Sequence, residues 1–288
     1  MKLALFGEYR LGMVSGDEIV DVCAAVPGHD ADPVTAGWWR GLCRDFPRLR
    51  PGLEAAGASG TVVKLADVRL RAPALNPSKI IACASNYRQH VEEMHEVQRR
   101  TLGRVEDWMM NFDVFLKAPS AISGPADHIV LPRPVLDAGQ EIHHEAELVI
   151  VIGAGGKDIP AGAALAHVLG YTIGLDITVR GAADRSRRKS YDTFAPLGPW
   201  VTTADEVGDP AGLEIDLVRN GHERRQHSRT RDLITPVPEI VSYASQAMTL
   251  LPGDLIFTGA PPGVGPIYPG DVLETTISRI GSMTVNVT

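Results

Sequence analysis

Between Ile142 and Gly153 the chain sets Glu145, Ala146 and Glu147 directly ahead of Leu148-Val149-Ile150-Val151-Ile152. An apolar run so rich in β-branched residues, closed by a glycine, reads as a buried strand, and a chain that contains one must build a sheet around it. Side chains alternate along a strand, which puts positions 145 and 147 on one face at its mouth. Two carboxylates held side by side repel unless one takes a proton or a cation sits between them. A hard divalent metal is the simplest resolution, and a strand end in water is the other. The pair alone does not separate the two.

Charge and composition narrow the partners. The formal net charge is −7 over 288 residues, and no Lys/Arg cluster has aromatics interleaved with it, which argues against nucleic acid. The densest basic run, Arg180 to Lys189, also holds Asp184 and is too short for a polybasic arm. The apolar stretch at the start ends at Glu8 and is no signal peptide, and no window of about eighteen apolar residues spans a membrane. Cys23, Cys43 and Cys83 are odd in number, widely spaced and without a Cys-x-x-Cys, so a reducing, cytoplasmic setting is expected.

Residues 1–73 read as a small N-terminal α/β accessory domain. It holds short strands at Lys2–Phe6, Leu11–Val14 and Glu18–Val22, then a helix over Ala36–Phe46 that Pro47 and Pro51 end before Leu53–Ala56. Residues 71–77 form a linker into a larger domain, 74–288. That domain opens with a strand at Lys79–Ala84 and a helix capped by Ser85 or Asn86. On the helix His90 and Glu93 face the same way. A carboxylate beside an imidazole fixes its tautomer and raises its basicity, as a general base acting on water requires; an ordinary surface pair has the same spacing. Residues 95–111 are a helix or a mobile lid. Strands are expected at Val114–Lys117, Ile129–Pro132 and Val168–Asp176.

Asp176 follows Glu147 by 29 residues, room for one strand–helix–strand excursion back to the same place. Three carboxylates without paired His or Cys specify an oxygen-rich site for Mg²⁺ or Mn²⁺. Arg180 and Lys189 could stand beside that centre and suit an oxyanion or a substrate carboxylate; a solvated basic turn is the alternative. Further on, Asn220-Gly221 marks a hairpin with a primed turn, Pro238–Met248 a helix, and Leu255–Gly259 a strand entering the loop Ala260–Gly265. Neither that loop nor Gly153–Lys157 has the pattern of a nucleotide-binding loop.

Taken in order, six blocks resemble the fumarylacetoacetate hydrolase family over residues 75–288. They are Asn86-Tyr87-Arg88-x-His90-x-x-Glu93; Phe115-Leu116-Lys117-x-Pro119-Ser120; Glu145-x-Glu147 through Gly153; Gly170-Tyr171-Thr172 through Asp176 to Arg180; Lys189-Ser190-x-Asp192-x-Phe194 through Pro199; and Pro252-Gly253-Asp254 through Thr258-Gly259 to Gly265. The resemblance implies an α+β, β-rich fold with a mixed β-roll as catalytic domain, usually in a homodimer, with Mg²⁺ or a similar ion. It implies Glu145, Glu147 and Asp176 as metal ligands, and His90 with Glu93 as the water-activating dyad on a segment that orders when substrate binds. It places Lys189 as a charge stabiliser, and Arg180, Gln226 and Thr258 in the site of a small anionic oxo-acid substrate. Two departures stand out. Gly181 and Ala183 occupy positions where the family often has Asp and Gln, and the segment after Glu93 is longer than in minimal members. The expected reaction is hydrolytic C–C cleavage of a 1,3-diketo, acylpyruvate-type acid from the breakdown of aromatic or sugar-derived acids. The alternatives are decarboxylation of an oxaloacetate-like acid and isomerisation or tautomerisation of a 2-hydroxymuconate-type diacid. A metal-binding protein without activity is the most distant of them.

Overall fold

The computed structural model describes residues 1–30, 32–35, 37–106 and 110–288. In chain order the elements used below are β1 (Lys2–Phe6), β2 (Arg10–Ser15), β3 (Glu18–Asp21), α1 (Gly37–Ser59), β4 (Val62–Lys64), β5 (Ile80–Ala84), α2 (Arg88–Leu102), β6 (Asp113–Lys117), β7 (Ile142–His144), β8 (Ala146–Ile152) and β9 (Val168–Leu175). They continue with α3 (Arg185–Arg188), β10 (Ala195–Thr203), β11 (Glu214–Arg219), β12 (Glu223–Arg229), α4 (Val237–Ala247), β13 (Leu255–Phe257), β14 (Val272–Ile277) and β15 (Gly281–Asn286). The fold is α+β and rich in sheet.

The main sheet runs β4-β3-β2-β1-β10-β9-β8-β13-β5-β6. β8 lies inside it, antiparallel to β9 and to β13, while β13 and β5 are parallel. Its side chains divide by parity. Leu148, Ile150 and Ile152 enter one apolar core with Ile173, Ile215 and Val285, whereas Val149 and Val151 enter another with Leu3, Leu5, Trp39, Leu255 and Phe257. Burial on both faces explains the unbroken apolar run that made this strand conspicuous. A second sheet, β12-β11-β14-β15, packs on the first core.

The N-terminal strands belong to the same hydrogen-bonded sheet, since β1 pairs with β10 at Lys2↔Thr202 and Leu3↔Val201. Some expectations about single elements need correction. α1 continues through Pro47 and Pro51 to Ser59. Both prolines are exposed, while Trp38, Trp39, Leu42, Cys43, Phe46, Leu49 and Leu53 keep one buried stripe across them, and that packing outweighs the lost backbone bonds. Position 36 lies outside the described residues. The helix bearing His90 is capped by neither Ser85 nor Asn86; its N-cap is Tyr87. The Asn86 amide is engaged elsewhere, donating to Thr235 O (3.0 Å) and Thr258 O (2.8 Å) and accepting from Thr235 N (2.7 Å). The expected strand Ile129–Pro132 is reduced to a bridge of Ile129 to Val287, with Ile129 N donating to Asn286 O and Leu131 N to Thr288 O, both at 2.8 Å. The hairpin at Asn220 closes with a three-residue loop, because Arg219 pairs with Glu223. Residues 95–102 extend α2, which ends on Gly103 in the left-handed conformation (φ 72°); residues 107–109 lie outside the described residues.

Candidate active site

The three acidic residues meet because two neighbouring strands end at the same level. β8 pairs with β9 at Ala146↔Leu175 and Glu147↔Gly174, and Asp176 N donates to Glu145 O at 2.8 Å, so Glu145 and Asp176 face each other across the ladder. One carboxylate oxygen from each of Glu145, Glu147 and Asp176 falls within 4.8 Å of the others. Exposures of 4, 1 and 0 % dispose of the solvated strand end.

Cations surround this cup. Arg180 Nη2 donates to Glu145 Oε1 at 2.6 Å, Lys189 Nζ to Glu145 Oε2 at 2.7 Å and also to Asp176 Oδ2, and Lys117 Nζ to Asp176 Oδ1. Glu147 makes no ion pair among the described residues. Its Oε2 accepts the Gly259 amide at 2.6 Å, where the backbone takes φ +99° and a Cβ would lie 2.8 Å from Asn86 Cβ, a conformation and a clearance that require glycine. The two glutamates separate accordingly. Burial opposes ionisation of Glu145, but Lys189 and Arg180 hold its carboxyl well below the usual range. Burial, with Asp176 beside it, pushes Glu147 well above. A buried acid kept protonated by its neighbours in an all-oxygen donor set is what a hard divalent cation would relieve, so these residues fit one.

His90 projects from the first turn of α2 into a cavity of about 70 Å³ that Glu145, Arg180, Arg188, Lys189 and Phe115 also line. His90 Nδ1 lies 3.2 Å from Glu93 Oε2, and both Glu93 oxygens accept the Gly263 amide at 3.2 Å. Gly263 has φ +96°, and a Cβ there would stand 1.8 Å from Arg225 O, so only glycine lets the loop present this amide. With Nδ1–H given to Glu93, the cavity receives Nε2 with its lone pair. α2 buries only His90 and Gln98.

Thus Glu145, Lys189, Arg180 and His90 share one cavity wall, with Glu147 and Asp176 joined to Glu145 in the cup and Glu93 held behind His90. Gln226 and Thr258 are buried beside them but are not in the cavity wall. Gln226 Oε1 accepts Ala146 N at 2.9 Å and its Nε2 donates to Pro261 O at 2.9 Å; Thr258 Oγ1 donates to Leu148 O at 3.0 Å. Both brace the strand ends that carry the acids. Sequence reasoning passed over Lys117, which ends β6 and is 2 % exposed, and Arg188, which sat unremarked in the basic run Arg180 to Lys189.

Comparison with known proteins settles the kinship. The sequence pattern described as "Fumarylacetoacetate (FAA) hydrolase C-terminal" matches residues 79–288. The chain belongs to the fumarylacetoacetate hydrolase family. It is 39 % identical over 287 residues to the maleylpyruvate hydrolase of Aquipseudomonas alcaligenes, covering 99 % of this chain and 98 % of that protein. Among solved structures it resembles the maleylpyruvate hydrolase of Sphingobium sp. SYK-6 in complex with manganese(II) and pyruvate. There the TM-score is 0.87 and the identity 42 %, over 100 % of this chain and 99 % of that one. A 5-carboxymethyl-2-hydroxymuconate delta-isomerase from Mycobacterium smegmatis matches at TM-score 0.73 and 35 % identity, over 100 % and 99 %. Among the described residues no helix is long and apolar enough to cross a membrane.

Proposed function

We propose that this family member is a divalent-metal-dependent hydrolase that cleaves a C–C bond in an acylpyruvate-type 1,3-diketo acid. The observation that carries the reading is one small cavity that Glu145 of a buried three-carboxylate cup and His90 of a His90–Glu93 dyad both line. Similarity to two maleylpyruvate hydrolases over nearly the whole chain supports it. Glu145, Glu147 and Asp176 are the ligands. The ion is Mg²⁺ or Mn²⁺, manganese being the one named with the Sphingobium enzyme. When bound, it supplies Lewis acidity toward the 2-oxo acid end of the substrate.

The remaining work falls to side chains. Glu93, pinned by the Gly263 amide, holds the His90 ring so that Nε2 takes a proton from water, and the hydroxide equivalent adds to the distal carbonyl. The bond between that carbon and the pyruvyl methylene then breaks, with its electron pair passing to the pyruvyl unit. Lys189, facing Glu145 and Asp176, offsets the negative charge that gathers there. The proton held by His90 returns to the methylene carbon, giving pyruvate and a carboxylic acid. Arg180 aligns Glu145, while Gln226 and Thr258 keep the strand ends in register.

With Mg²⁺ or Mn²⁺, the purified protein is expected to release pyruvate and acid in equal amounts from a panel of acylpyruvates. His90→Ala should lower kcat by about 10²-fold or more, the usual contribution of a positioned general base, with metal affinity unchanged. Full turnover by that variant on every substrate would refute the scheme. Likeness to the M. smegmatis isomerase keeps a second reading in view, in which His90 moves a proton between carbons of a muconate-type diacid. Product formation without uptake of water from ¹⁸O-labelled solvent would select it. We further propose a homodimer, as is usual in the family, and a cytoplasmic setting, which the three buried, unpaired cysteines support.

A further inference from the structure

The cations around the cavity are not all matched. Arg180, Lys189 and Lys117 each face a carboxylate of the cup. Arg188, in the same cavity wall and 9 % exposed, faces none among the described residues. Its Nη1 reaches only Val179 O at 3.4 Å, and its Nε is buried without a partner. Burial, with Arg180 alongside, pushes this guanidinium down to about 10, as expected of a cation lacking its anion. Arg185, over the Phe115 ring at 5.4 Å, adds positive charge to the same wall. A buried guanidinium is costly to leave unpaired, and its planar fork matches a carboxylate.

We propose that Arg188 is a specificity residue that binds a second carboxylate at the far end of the substrate, so that the enzyme takes 2-oxo diacids in preference to monoacids. This rests on the hydrolase reading above, in which the cup holds the 2-oxo acid end. One charge-assisted pair of this kind is worth about 10- to 100-fold in discrimination.

Two measurements on the Mn²⁺-loaded protein test it. The first is kcat/KM for two acylpyruvates of equal length, one ending in a carboxylate and one in a methyl group. The second is calorimetric binding of 2-oxoadipate against 2-oxohexanoate, which undergo no cleavage. Wild type should favour the diacid in both by about 10- to 100-fold. Arg188→Met should bring both ratios close to one, mainly through KM, while values for the monoacid stay within about twofold; Arg188→Lys, which keeps the charge but not the fork, should fall between. Ratios unchanged in Arg188→Met, or equal losses on diacid and monoacid in both variants, would overturn the assignment. If wild type cleaves neither acylpyruvate, the hydrolase reading fails, and the binding ratio still decides whether Arg188 reads a distal carboxylate.

Discussion

Once a metal takes the place of the Glu147 proton, the three carboxylates of the cup are balanced by three cations, Lys117, Arg180 and Lys189. A divalent ion entering it leaves a positive excess that an anionic oxo acid would offset, so metal and substrate should bind with positive coupling. Mn²⁺ titrated with pyruvate present should bind about tenfold more tightly than without it, within the usual range of coupling between sites. Equal affinities would show that the cations are not felt by the metal. The two imidazoles before Glu145 make a separate prediction. Burial, with Arg180 nearby, pushes His143 down to about 2, and burial pushes His144 down to about 4 although Gln226 supports its charged form. Unfolded, both take up protons near pH 6.5, while the folded chain leaves them neutral. The stability they contribute is therefore intact above about pH 6.5 and is lost as pH falls toward 4, on the order of 3 kcal/mol for His144 and less for His143, whose Nε2 lies 2.8 Å from Glu141 Oε2. Urea unfolding of chelator-treated protein at pH 7, 5.5 and 4.5 should show this decline, and His144→Leu should make it shallower; a flat profile in wild type would contradict it.

At the scale of elements, α1 sets packing against backbone chemistry. Its stripe of large apolar residues is buried, while Pro47 and Pro51 lie on the exposed face and each removes a helical hydrogen bond. Pro51→Ala should therefore stabilise the protein by about 1–3 kcal/mol, read as a higher urea midpoint with unchanged slope. A lower midpoint would mean that the proline ring itself is needed. Elements whose local pattern and tertiary role agree were legible in the sequence, as β8, β9, β13 and α4 show. α1 was legible only in part, since a proline signals a break locally and the stripe that overrides it counts only against a partner surface. The acids of the site were legible from strand ends and motif order. Lys117 and Arg188 were not, because a buried cation is recognised by what surrounds it, and those neighbours lie far apart in sequence.

For the whole molecule, the first 73 residues and the body share one core, in which Leu3, Leu5 and Trp39 touch the layer holding Val149, Val151 and Phe257. β1 also completes the ladder beside β10, itself the neighbour of the strand leading to Asp176. A fragment of residues 74–288 should thus expose that layer and aggregate or unfold without cooperativity. A soluble, cooperatively folding 74–288 fragment would instead mark residues 1–73 as an independent domain. The sheet holds the acids on its most deeply paired strands, but His90 rides on α2, of which only His90 and Gln98 are buried. An element so lightly fastened opens more readily than the strands beneath it. Whenever α2 lifts, the base leaves together with the roof of the cavity, so product escape and loss of the catalytic proton acceptor become one event. Turnover limited by docking of α2 should slow as solvent viscosity rises even where the chemistry is unchanged, and a kcat indifferent to viscosity would exclude that limit.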